Sequence, residues 1–185
     1  MDLTNLQRQI LYRADSVGKV KVDAARAALS ALNPEIEILP VEKKLDAKSL
    51  QPYIEAADVV LDCTDNFATR HALNRACVAQ KKPLVSGAAI RFDAQVAVFD
   101  LRKPDAPCYA CLYAEDGEIE EVQCSQMGVF APMTGAVGAL QAMEAVKLLC
   151  GAGETLNGRL LLMDAKRAEW RTVRVKKDPG CAVCG

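Results

Sequence analysis

The chain has 185 residues, with 23 Lys and Arg against 24 Asp and Glu, a formal net charge of -1, and 51% hydrophobic residues. This is the composition of one soluble globular domain with enough apolar mass for a core, and without a surplus of cations it excludes a nucleic-acid partner held mainly by counterion release. Eight cysteines are too small a share of this length for a secreted disulfide scaffold, and no signal-peptide pattern precedes them, so the thiols are expected to be reduced or metal-bound in a cytoplasmic protein. The least polar stretch, Gly128 to Met143, contains Thr134 and Gln141 and falls short of the roughly 20 apolar residues that span a bilayer, so no membrane partner is expected.

In chain order, Asp2 or Thr4 can cap a short helix with Leu6, Ile10 and Leu11 on one face and Arg8 and Arg13 off it. A second helix runs from Gly18 to about Leu32, with Val22, Ala25, Leu29 and Leu32 at helical spacing, and Asn33-Pro34 ends it. Alternation over Ile36 to Val41 predicts a strand. Leu45 to Ala56 reads as a helix. Asp58 to Cys63 is a short branched apolar run followed at once by the helix-start signature Thr64-Asp65-Asn66, the pattern of a buried parallel strand feeding a helix over about Asn66 to Gln80. Leu84 to Ala89 reads as a second buried strand, which makes the arrangement a crossover unit of an α/β sheet. Gln95 to Phe99 is expected to be antiparallel, 108 to 127 loop-like, and Thr134 to Leu149 a helix closed by Cys150-Gly151. Strands at Gly158 to Met163 and Trp170 to Val175 complete a single domain over 1–185.

The strongest chemical signal is Cys108-Tyr-Ala-Cys111 with Cys181-Ala-Val-Cys184, both beside turn formers. Two such knuckles can present four thiolates to one tetrahedral ion, so a structural zinc that staples the C-terminal tail is expected. An iron–sulfur cluster, a redox pair and unrelated thiols are the alternatives, although a redox pair would open a helix after a strand. A closed site does no chemistry, so the reaction lies elsewhere. Cys124 stands outside both knuckles and is either a nucleophile or an inert thiol, while Cys63, Cys77 and Cys150 read as buried and inert. Asn5, Arg8 and Gln9 share the first helix, Lys21 opens the next, and Asp65 with Asn66 stands at the C-terminal end of the first buried strand. Ligands of open α/β sheets bind at that edge, and two cations with a carboxylate suit a nucleotide and its Mg²⁺. The plain alternative is that Asp65 caps the following helix while Arg8 and Lys21 are solvated. The one histidine, His71, reads as an exposed helix residue.

Asn5-Leu-Gln-Arg-Gln9, Gly18-Lys-Val-Lys21-Val22, Leu61-Asp-Cys-Thr-Asp-Asn66, Ser86-Gly-Ala-Ala and the paired CxxC motifs together resemble the MoeB/ThiF/HesA adenylyltransferases related to ubiquitin-activating enzymes. The resemblance implies a Rossmann-like ATP-binding sheet followed by antiparallel strands and a zinc-stapled tail. It also implies ATP-dependent adenylation of the C-terminal glycine of a ubiquitin-like sulfur carrier protein of ThiS or MoaD type, for thiamine or molybdopterin synthesis. Asn5, Arg8 and Lys21 match the family's ATP-phosphate contacts, Asp65 with Asn66 matches the carboxylate segment near Mg²⁺ and the α-phosphate, and Cys124 matches a cysteine that can link covalently to the carrier. Implied partners are the carrier, a sulfur donor such as a cysteine desulfurase or rhodanese, and a second copy of the chain in a homodimer. The family's opening strand and Gly-x-Gly-x-x-Gly turn have no counterpart in this sequence, so the chain is expected to begin in mid-fold. The alternative function is a truncated, non-catalytic module, stabilised by zinc, for carrier binding or dimerisation.

Overall fold

A computed structural model describes residues 1–115 and 127–185. The chain forms two compact units, Met1–Lys44 and Leu45–Gly185.

In the first unit the chain opens in a 3-10 turn at Leu3–Asn5, capped by Asp2, whose carboxylate accepts from the Thr4 N–H at 2.8 Å. A second such turn covers Ala14–Ser16, and helix α1 spans Lys21–Leu32. The single helix expected around Leu6 to Leu11 is therefore replaced by tight turns. Its bonds close over three residues, as in Leu6 N–H to Leu3 O at 3.2 Å, and Ile10 is 96% exposed. With Ile10 in solvent and Leu6 and Leu11 only half-buried, the apolar stripe gives so short a helix little tertiary support. Gly18 adopts a positive φ of 82°, which lets the chain turn back so that its N–H reaches Met1 O at 3.0 Å. The strand expected over Ile36 to Val41 is not formed: the segment has no ladder partner among the described residues. Alternation yields extended backbone, but a strand also needs a neighbour.

The second unit is built on a mixed sheet of order β1-β2-β3-β4-β5. Helix α2, Ala47–Ala56, starts at a capping box in which Asp46 and Ser49 satisfy each other's backbone N–H groups. Strand β1, Val60–Asp62, lies parallel to β2, Leu84–Ile90, and helix α3, Phe67–Ala79, makes the crossover between them. Strands β3, Asp93–Phe99, β4, Arg159–Asp164, and β5, Glu169–Arg174, follow in antiparallel order. A short helical turn α4, Tyr109–Leu112, and a long helix α5, Ala131–Cys150, fall between β3 and β4. Gly151, in the left-handed region at φ 62°, closes α5 as the sequence foretells.

Both faces of the central strands are covered, while β5 is exposed throughout, and the alternation of β2 and β3 shows how. Leu84, Ala97 and Phe99 pack with Leu50, Ile54, Leu73 and Tyr109, whereas Val85, Val96 and Val98 pack with Met133, Val137 and Leu148. Side chains two apart share a face, so each central strand feeds both layers. β1 departs from the expected fully buried strand. It is an outer strand among the described residues, and Leu61 is 41% exposed while Val60 and Asp62 point inward.

Helix α5 approaches the sheet closely at Gly87 of β2. A Cβ there would collide with the Gln141 amide and lie 2.8 Å from Val137 Cγ1. Gln141 cannot yield freely, because its Nε2 donates to Asp62 O at 2.9 Å and Val85 O at 3.2 Å. Gly87→Ala is expected to destabilise the unit by about 1–3 kcal/mol, read as a lower urea midpoint. An unchanged midpoint would show that α5 shifts without cost.

Candidate functional site

The site begins with a carboxylate that is not itself exposed. Asp62, at the end of β1, is 1% accessible. Ser86 Oγ donates to its Oδ2 at 2.9 Å, the Thr64 N–H and Oγ1 donate to its Oδ1 at 3.0 and 2.7 Å, and Arg70 Nη1 stands 3.9 Å from Oδ2. Arg70, also buried, donates to Thr64 O and to Gly87 O. These bonds satisfy a charge that would otherwise be costly to bury, and they fix the path of Cys63, Thr64 and Asp65 between β1 and α3.

Asp65 comes off that loop exposed. Asn66, not Asp65, is the N-cap of α3, its Oδ1 accepting from the Thr69 N–H at 2.8 Å. Helix capping therefore does not account for Asp65, whose Oδ1 accepts from Asn66 Nδ2 at 3.4 Å. Asp65, Asn66 and Arg70 line a cleft of about 450 Å³ that runs over Ala88, Ala89 and Ala94 to Arg167 and Arg171. Tyr109 and Tyr113 form part of its wall. Tyr109 is 1% exposed, burial pushes its phenol up to about 12, and its hydroxyl lacks a well-formed hydrogen bond among the described residues.

Three residues differ in exposure from the sequence reading. His71 is buried, edge-on to Tyr109 with ring centroids 5.3 Å apart and Nδ1 3.6 Å from Glu115. Desolvation lowers its pKa. The helical face judged solvent-exposed is the one that packs on the α4 turn. Cys77 is buried as expected, but Cys63 and Cys150 are exposed, since both stand at the ends of elements, where chain direction changes and burial ends. Burial of its sulfur and the Asp62 charge raise the Cys63 pKa, which does not favour a reactive thiolate.

The two cysteine pairs meet within the second unit. Cys108, Cys111, Cys181 and Cys184 place all four Sγ atoms within 4.8 Å of one another. The Sγ atoms are 3.7 Å apart for Cys108 and Cys181, 3.9 Å for Cys108 and Cys111 and 3.5 Å for Cys111 and Cys184. A tetrahedron of sulfurs with metal–sulfur bonds of about 2.3 Å has edges of about 3.8 Å, so the cluster fits one metal ion. The surroundings suit thiolates: the Asp178 N–H and Cys108 N–H approach Cys111 Sγ at 3.4 and 3.5 Å, and Asn74 Nδ2 donates to Cys108 Sγ at 3.5 Å.

Asn5 and Arg8 are brought together in the first unit, where Arg8 Nη2 donates to Asn5 Oδ1 at 3.1 Å. Lys21 opens α1, and its carbonyl accepts from Tyr12 Oη at 3.2 Å. Cys124 lies outside the described residues. Asp62, Arg70, Asn74, Tyr109 and Gln141 were not singled out from sequence. Only Asp62 carried a signal, as an acid at the end of an apolar run.

The ThiF family profile matches residues 1–183. Molybdopterin-synthase adenylyltransferase of Escherichia coli K12 is 46% identical over 185 residues, the whole of this chain and 74% of that protein. Sulfur carrier protein ThiS adenylyltransferase of the same organism is 42% identical over 184 residues, 99% of this chain and 72% of that protein. Among solved structures, E. coli MccB with ATP superposes with a TM-score of 0.85 at 25% identity, covering 100% of this chain but 56% of that one. A match that runs from residue 1 into the last cysteine pair, with relatives this similar throughout, places the chain in the ThiF family.

Proposed function

We propose that the chain carries part of a site that adenylates the C-terminal glycine of a ubiquitin-like sulfur carrier protein, of ThiS or MoaD type, using ATP and Mg²⁺. The observation that carries this reading is Asp65, held by the buried Asp62–Arg70 cluster at the rim of the cleft and not used as a helix cap, in a relative of adenylyltransferases. The small residues Ala88, Ala89 and Ala94 along the floor suit a glycine-ended tail. A carboxylate oxygen of the tail attacks the α-phosphorus, forming a carboxyl–phosphate bond. The bond from that phosphorus to the β-phosphate oxygen breaks, and pyrophosphate leaves. The attacking group is already ionised, so no general base is required. Asn5, Arg8 and Lys21 are assigned to the ATP phosphates, where cations stabilise the charge that develops, and Asp65 with Asn66 to the metal and α-phosphate side. When bound, Mg²⁺ withdraws charge from the phosphate oxygens.

Zinc is the metal we assign to the four cysteines, because tetrahedral all-sulfur sites of this size are its usual setting. Its role is to hold the tail to the α4 turn. A sulfur donor protein and a second copy of the chain are the further partners, and Cys124 is assigned to covalent linkage with the carrier. A non-catalytic, metal-stabilised module for carrier binding or dimerisation is the second reading, favoured by the four-cysteine cluster, whose closed ligand set suits a structural role.

Four outcomes test these assignments. Asp65→Ala should lower carrier-dependent ATP–pyrophosphate exchange by about 10²-fold or more, with fold and metal content retained; exchange near the parent rate would remove Asp65 from the site. Metal analysis should give one zinc per chain, and Cys181→Ser with Cys184→Ser should lose both the metal and thermal stability, whereas iron with sulfide would contradict the assignment. Cys124→Ser should keep exchange and lose a covalent carrier adduct. Loss of exchange in that variant, with the fold unchanged, would contradict the division of roles. Exchange absent from the unsubstituted protein with both carrier types would favour the second reading.

A further inference from the structure

Asn74 lies on α3 with 0% exposure, and both ends of its amide are engaged with the same short turn. Its Nδ2 donates to Cys108 Sγ at 3.5 Å, and its Oδ1 accepts from the Tyr109 N–H at 2.9 Å. One helical turn earlier, Arg70 grips the loop that presents Asp65 through Thr64 O. Tyr109, held by the other end of this chain of bonds, is part of the cleft wall that also includes Asp65 and Arg70. Tyr109 in turn contacts His71 of α3 and Phe99 of β3, with ring centroids 5.3 and 6.0 Å apart. The cysteine turn and the cleft wall are thus consecutive residues fastened to one helix by one side chain.

We propose that Asn74 is a positioning residue that ties the four-cysteine site to the cleft, so that a metal held by the cysteines sets the placement of Tyr109 in the cleft wall. Without the ion, the 108–111 turn keeps its tie to α3 but loses its tie to the 181–184 turn, and Tyr109 follows the looser turn. Without Asn74, the cysteines keep their spacing but lose a donor to Cys108 and the clamp on Tyr109. Removal of such an outer partner weakens a metal site by about 10–100-fold. Only the peptide measurement below rests on the proposed function.

Hydrogen exchange at the Tyr109 amide relative to the Val96 and Val98 amides of β3, compared in the metal-loaded and metal-free protein without substitution, separates the tie from general loosening of the fold. Exchange about tenfold faster or more without metal is expected, and equal protection in the two states overturns the proposal. Asn74→Leu keeps the volume and removes both bonds, while Asn74→Asp keeps the acceptor for Tyr109 and replaces the donor to Cys108. Both should release metal to a chelator about 10–100-fold faster than the parent; release at the parent rate overturns the proposal, and Asn74→Asp decides alone if Asn74→Leu fails to fold. Binding of a hexapeptide ending in Gly-Gly should weaken about tenfold on metal removal in the parent but change little further in Asn74→Leu, because the two losses act through one tie. Additive effects would overturn the coupling. If the peptide does not bind the parent, the reading of the cleft as a tail site fails, while amide exchange and metal release still decide the role of Asn74.

Discussion

A buried carboxylate organises the end of the sheet where the candidate site lies. Asp62 accepts from Ser86, from two groups of Thr64, and faces Arg70. A three-residue strand supplies little ladder of its own, so these side-chain bonds determine where β1 stops and how the chain turns into α3. Removing one partner would leave a buried charge short of donors, which is far more costly than losing an exposed ion pair. Gln141 adds a second brace from the opposite layer by donating to Asp62 O and Val85 O. Residues from β1, β2, α3 and α5 therefore converge on one loop, and Asp65 is the exposed product of that convergence.

The chemistry proposed for the second unit separates cleanly into two tasks. The exposed Asp65 carboxylate at the sheet end is assigned to the metal and α-phosphate side, which calls for an open, wet rim, while the buried Arg70 only positions its loop. Thiolates at the α4 turn hold a metal that needs no open coordination position. Both tasks are anchored on α3, whose N-terminus follows Asp65 and whose buried face carries Arg70, His71 and Asn74. One rigid helix can serve both because residues 70 and 74 are one turn apart and lie on the same side.

Much of this unit was legible in the amino-acid sequence, and the exceptions have physical causes. The order of β1, α3, β2, β3, α5, β4 and β5 follows from apolar runs and turn signals that agree with one another. The cysteine pairs declared their partnership through spacing. What could not be read was side-chain reach across the sheet: Ser86 and Asp62 are 24 residues apart, and Asn74 and Cys108 are 34 apart. His71 was misjudged because the helical pattern of α3 does not announce that it packs on two sides. Ile36 to Val41 was misjudged because a strand is a property of a pair of segments. The turns around Asn5 and Arg8 show the same limit, since a helical pattern forms a helix only where its apolar face finds a surface.

The cysteine cluster joins positions 73 residues apart along the chain, with α5, β4 and β5 inside the enclosed segment. An ion bound by all four sulfurs would act on the unfolded chain as a cross-link closing that long loop. By the chain-entropy account of such closures, a link of this span removes enough disorder from the unfolded ensemble to favour the folded state by about 4 kcal/mol. That contribution is spread over every element within the loop. Stripping the ion would therefore loosen the fold as a whole, including strands that lie far from any sulfur atom.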